Sequence, residues 1–178
     1  MRIAGGEFRG REIEAPAGTD TRPTSAKVRE ALFSILQTRI VGATFLDLFA
    51  GSGAIGLEAL SRGCAKAVFV DSSRKAVLAI QRNIKKLGVE EKARVYCMEA
   101  LRAVAQLNEE YSIVFVDAPY AQADTDAILS GLKSHRILAK GAVVVVEHEH
   151  QLTAVEGFCI MKEKKYGRAM LTLYQMEE

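Results

Sequence analysis

Apolar residues fall into short runs, each followed by a stretch of helical spacing, and that rhythm repeats from residue 44 to residue 147. Strands over 44–48, 67–71, 93–98, 112–116 and 142–147 should alternate with helices over 54–62, 74–87, 100–108 and 123–134. Parallel neighbours need a crossover helix, so this alternation predicts a doubly wound, mostly parallel α/β sheet. Upstream, Val28, Leu32, Ile35 and Leu36 recur at helical spacing behind Thr24 and Ser25, either of which can cap that helix. Downstream, strand-like runs over 158–164 and 169–175 flank Tyr166-Gly167, too close for a crossover, and predict an antiparallel hairpin closing the sheet. At the start, residues 2–4 and 11–14 flank Gly5, Gly6 and Gly10 as a small hairpin, and a polar stretch over 16–24 follows. The expected organisation is an N-terminal hairpin extension over 1–24, outside the main sheet, and one α/β domain over 25–178.

The first strand runs into Asp47-Leu-Phe-Ala-Gly-Ser-Gly-Ala-Ile-Gly56. Gly51, Gly53 and Gly56 have the G-x-G-x-x-G spacing, which permits a tight turn, close ligand approach and close helix packing. Asp71 ends the next strand at the interval expected of an acid that grips a ribose. This spacing suits a nicotinamide cofactor and S-adenosylmethionine equally. Backbone N–H groups of the Gly51–Gly53 turn can face a carboxylate, and Asp47 can accept from an ammonium.

Asp117-Ala118-Pro119-Tyr120 follows the apolar strand over 112–116 and should share the crevice at the carboxyl edge of the sheet. With it the chain resembles the adenosylmethionine-dependent methyltransferases that use Asn/Asp-Pro-Pro-Tyr/Phe on exocyclic base amines. An exocyclic amine is a poor nucleophile, because its lone pair is delocalised into the ring. Asp117 and the Ala118 carbonyl would accept the amine protons and turn the lone pair toward the methyl group, while Tyr120 holds the extruded base. Pro119 holds Ala118 extended and helps aim that carbonyl. Ala118 stands where the family has its first proline, a departure that keeps the carbonyl and gives up rigidity. The resemblance also implies cofactor contacts from Phe49, Ser52 and Ala100, and it sets Glu99 where the family has Asp or Asn near the adenine amine.

Arg2-Ile-Ala-Gly-Gly, Arg9-Gly-Arg, Thr21-Arg-Pro-Thr-Ser, Val28-Arg-Glu-Ala-Leu-Phe and Lys165-Tyr-Gly-Arg extend the likeness from end to end. Together they resemble the bacterial RsmD family, which methylates guanine N2 at position 966 of 16S ribosomal RNA. The resemblance implies an RNA or small-subunit partner and a monomeric, cytoplasmic enzyme. Arg9, Arg11, Arg22 and Arg29 are forks suited to phosphates, though Arg22 and Arg29 could instead make internal ion pairs that hold the segment down.

A net charge of +2 makes any nucleic-acid surface local, since residues 72–94 hold seven Lys/Arg against two Glu and read as a solvated helix face. At 178 residues and 49% hydrophobic content the chain suits one domain. Cys64, Cys97 and Cys159 are widely spaced and suggest neither a disulfide framework nor a zinc site, as expected of a reducing cytoplasm. No apolar signal region opens the chain, and no apolar run suits a bilayer span, so no membrane role is expected. Glu147-His148-Glu149-His150 invites a metal, but methyl transfer from a sulfonium needs none and no metal site is expected. Rival readings are a DNA or protein N-methyltransferase, a nicotinamide oxidoreductase and a non-catalytic RNA-binding module. The tetrapeptide opposes the second, and retention of Asp117 and Tyr120 opposes the third.

Overall fold

The computed structural model describes residues 1–18, 24–118 and 122–177, with the side chains of Gln122 and Ala123 left out. Seven strands form one sheet: β1 (Thr44–Leu48), β2 (Lys66–Asp71), β3 (Ala93–Cys97), β4 (Tyr111–Val116), β5 (Leu138–His148), β6 (Phe158–Tyr166) and β7 (Ala169–Met176). Their order is β3-β2-β1-β4-β5-β7-β6; the first five are parallel, and β7 runs antiparallel between β5 and β6. The expected methyltransferase-type sheet with its antiparallel end is therefore present.

Strand alternation sorts the core into two clusters. Phe45, Phe69, Ile113, Phe115, Val143, Val145, Leu171 and Leu173 face one side, against α1 (Ala26–Leu36), α2 (Ala54–Ser61) and α3 (Arg74–Leu87). Leu46, Leu48, Val68, Val70, Val114, Val116, Val144 and Val146 face the other side, against α4 (Ala100–Gln106) and α5 (Gln122–Ser134). Crossovers from β1 and β4 leave on opposite faces, so a crevice opens above their carboxyl ends.

Ser25 caps α1, its hydroxyl accepting from the Val28 N–H at 3.2 Å, and this leaves the Thr24 side chain for other work. β5 starts at Leu138, earlier than residue 142, because Leu138 pairs with Tyr111 before a register shift brings Val143 opposite Ile113. A bulge of that kind is not written in alternation alone.

The N-terminal segment stays outside the sheet but is not loosely attached. Arg2 bridges to Glu12, and Ile3 and Ile13 are buried in the α1–α3 cluster. Asn83, fully buried on α3, accepts from the Glu14 N–H and donates to the carbonyls of Glu14 and Ser52. Glu58, fully buried on α2, lies 3.0 Å from Arg29 Nε and 2.9 Å from Arg62 Nη2, while Arg29 Nη2 donates to the Arg2 carbonyl at 2.8 Å. Two buried polar centres thus tie the hairpin to the helices.

Candidate active site

Register places an acid row at the crevice. Leu48 pairs with Val70 and Val116, and Val116 pairs with Val146, so Phe49, Asp71, Asp117 and Glu147 share the next level. Asp71, Asp117 and Glu147 have the parity of Phe69, Phe115 and Val145, which puts them on the α1–α3 face with Asp47 two residues below.

The loop after β1 is built from left-handed residues: φ is 62° at Phe49, 58° at Gly51 and 79° at Gly53. A Cβ on Gly51 would meet nothing within 4 Å, so its bareness serves the turn and leaves open space for a ligand. At Gly56 the reason differs, since a Cβ would lie 2.3 Å from Phe69 Cε1, and only a glycine lets α2 rest on β2. Half-buried Phe49 packs on the α4–α5 cluster, and Ser52 is buried.

Backbone N–H groups meet the acids here. Asp71 accepts from Gly51 at 2.9 Å through Oδ2 and from Ser73 at 2.8 Å through Oδ1. The Gly53 N–H is given to the Ala50 carbonyl at 2.7 Å. Two of the three N–H groups of this turn are therefore engaged within the protein, where they hold the loop's shape. Asp47 is 1% exposed and accepts from the Gly56 N–H at 3.0 Å. Burial pushes its carboxyl up to about 8 against that bond, with the charges of Asp117 and Asp71 adding to the rise. An acid so placed favours a cationic neighbour.

Glu99 is the N-cap position of α4 with an exposed side chain that makes no cap bond, and Ala100 behind it is buried. Cys97 rather than Glu99 stands level with Asp71, so Glu99 lies two residues past the acid row.

On the β4–β5 side, burial raises Asp117 to about 6, relieved by a hydrogen bond from Thr24 and reinforced by Glu149. Glu147 rises to about 7 through burial and then through the charge of Asp117. The Thr24 hydroxyl oxygen and Glu147 Oε2 share a hydrogen bond at 3.0 Å. Ala118 is half-buried against the α4–α5 cluster, while Pro119 and Tyr120 lie outside the described residues. Thr24 and Glu147 were read from sequence only as a cap candidate and as part of a rejected metal motif. A signal was available: Phe69-Val-Asp71, Phe115-Val-Asp117 and Val145-Val-Glu147 end three strands in the same apolar-Val-acid pattern.

The arginines divide. Arg29 is only 4% exposed and is engaged by Glu58 and the Arg2 carbonyl, which corrects its reading as a phosphate contact: it is a scaffold cation. Arg9 and Arg11 are exposed, with Arg11 donating to the Lys86 carbonyl at 2.7 Å and lying 5.7 Å from the Phe8 ring centre. The Phe8 N–H donates to Ser61 Oγ, so the hairpin tip sits by the far end of α2, roughly 12 Å from the glycine loop at 1.5 Å per residue. Arg22 lies outside the described residues. His148 faces away from the crevice, with Nε2 2.7 Å from Thr172 Oγ1 and Nδ1 against the His150 carbonyl. Among the described residues, no three His, Cys, Asp or Glu side chains cluster to hold a metal, and no helix is long and apolar enough to cross a membrane.

Comparison with known proteins bears on what this crevice serves. The family model described as conserved hypothetical protein 95 matches residues 1–175. The chain is 37% identical over 180 residues to ribosomal RNA small subunit methyltransferase D of Escherichia coli, covering 99% of this chain and 90% of that one. It belongs to the RsmD/YlbH family of adenosylmethionine-dependent rRNA methyltransferases. The Haemophilus influenzae protein of the same name is 32% identical, covering 98% of this chain and 93% of that one. The solved Escherichia coli protein yhhF superposes with a TM-score of 0.89 at 36% identity, covering 100% of this chain and 98% of that one. In this family member the residues present suit the cofactor: an open glycine turn, a half-buried acid at the end of β2 and a buried acid that favours a cation.

Proposed function

We propose that the protein methylates the exocyclic N2 amine of a guanine in 16S rRNA, at family position 966, using S-adenosylmethionine. What carries the reading is the single-faced acid row at the switch point, with Asp117 and Ala118 following the strand next to the one that enters the glycine loop. Asp71 takes the ribose hydroxyls with the lone pairs its two N–H donors leave free, and Asp47 meets the ammonium directly or through water. Phe49, Ser52, Gly51 and Gly53 wall the same pocket, with Glu99 and Ala100 at its adenine end. Bound S-adenosylmethionine supplies an electrophilic methyl group on a sulfonium.

Asp117 and the Ala118 carbonyl accept the two amine protons and turn the nitrogen lone pair outward, while Tyr120 stacks on the extruded base. A cavity of about 410 Å³ beside Thr24, between residues 1–4 and the start of α1, gives room for a neighbouring nucleotide. The 1–24 segment docks the RNA, with Arg9, Arg11 and Arg22 as phosphate contacts, and the enzyme works as a cytoplasmic monomer. Methyl incorporation into unmodified small subunits, naked 16S rRNA, DNA and protein, mapped to the nucleotide, tests the reading. Label confined to one guanine N2 is expected, and labelled DNA or protein instead would overturn it.

A further inference from the structure

Asp117, directly after β4, and Glu147 on β5 stand at one register level and on one face, with the Thr24 hydroxyl between them. A hydroxyl has one proton to give. With both carboxyls ionised, Thr24 could serve only one, and two like charges would face each other in a site largely withdrawn from water. With a proton on Glu147 the bonds run one way: the Glu147 O–H donates to Thr24 Oγ1, and the Thr24 O–H donates to Asp117. The 3.0 Å oxygen separation suits that direction equally.

Neighbouring elements supply no competing counter-charge among the described residues. Glu149, further along β5, is a third acid acting on both groups, and Asp47 on β1 adds another beside Asp117. β7 sets Leu171 opposite Glu147, α1 presents Arg29 already held by Glu58, and His148 turns to Thr172, which donates to Glu163.

We propose that Glu147 and Thr24 are positioning residues for methyl transfer: Glu147 keeps a proton, Thr24 passes the hydrogen bond on, and Asp117 is held ionised and aimed. Burial raises both carboxyls, and the charge of Asp117 adds to the rise at Glu147. The inference rests on the assignment of Asp117 as the amine's acceptor. In the step, the N–C bond forms as the C–S bond breaks, with the electron pair staying on sulfur. The proton leaving N2 goes to Asp117, which returns it to water, and Glu147 stays protonated throughout.

Single-turnover methylation from about pH 5 to about pH 9 tests this. The wild-type rate should rise as Asp117 ionises and fall as Glu147 ionises. Glu147→Gln, whose amide N–H replaces the carboxyl proton, should remove the alkaline fall and keep the acid limb. Thr24→Val should slow transfer about tenfold at unchanged cofactor affinity, the loss of one hydrogen bond, and Thr24→Ser should restore it. Carboxyl-carbon NMR of the cofactor-free protein should find Glu147 titrating near neutrality, and at lower pH in Asp117→Asn. An alkaline fall that persists in Glu147→Gln, or a Glu147 carbon titrating in the ordinary carboxylate range, overturns the inference. If Asp117→Ala transfers at full rate, the acceptor assignment falls and takes this inference with it. If Asp117→Ala is inactive while the fall persists in Glu147→Gln, the inference falls alone.

Discussion

Carboxylates on the β1–β2 side of the crevice are met by backbone N–H groups, those of Gly51 and Ser73 at Asp71 and that of Gly56 at Asp47. On the β4–β5 side, Asp117 and Glu147 face each other across one threonine hydroxyl. The first arrangement holds its acids in place with backbone dipoles, and the second leaves two acids to share one hydroxyl and a proton. A pocket that holds a ligand through many turnovers gains from fixed dipoles. Chemistry that strips a proton from an amine gains from a group whose charge can change.

Replacing acids on each side should separate the two behaviours. The largest effect is expected at Asp117→Ala, where single-turnover methylation should fall about a hundredfold or more with calorimetric cofactor affinity kept. Equal losses in both quantities would erase the distinction between the sides. Asp71→Ala should do the reverse, weakening cofactor binding by about 1–3 kcal/mol, because a charged acceptor and the Gly51 tether go together. A circular-dichroism control separates that loss from unfolding.

Gly56→Ala strikes the support beneath Asp47, since the new Cβ meets the Phe69 ring at 2.3 Å; denaturant unfolding should report about 1–3 kcal/mol of destabilisation. The smallest expected effect is a proton count. Asp47 has a folded-state value raised to about 8, so it favours the folded protein fully below its unfolded value near 4. That contribution is lost as pH rises through the folded value. A bound cation pulls the value down, so cofactor binding should release a fraction of a proton near neutrality, and affinity should strengthen with rising pH. Calorimetry in buffers of different ionisation heat measures the release, which Asp47→Asn should abolish.

Local features of the sequence led to the first side and distant ones were needed for the second. The glycine spacing, Asp47 and Asp71 lie within 25 residues, and the period of each strand puts them at one edge. Most elements likewise follow from spacing, apart from the early start of β5. Thr24 and Glu147 are 123 residues apart, and only the order β1-β4-β5 brings them together, packed beneath the N-terminal segment. Arg29 shows the same limit: its charge alone suggests RNA, and a buried Glu58 reached through tertiary packing decides otherwise.

Insertion of β7 between β5 and β6 also governs how the molecule can be made. Until the hairpin arrives, β5 presents an unpaired edge of Ala142-Val-Val-Val-Val146, an ideal template for another chain's strand. During synthesis the nascent sheet therefore passes through a sticky stage that ends only once β6 and β7 have emerged and slotted in together. Lysines at 162, 164 and 165 on β6, the strand left at the rim, then repel strangers from the finished edge.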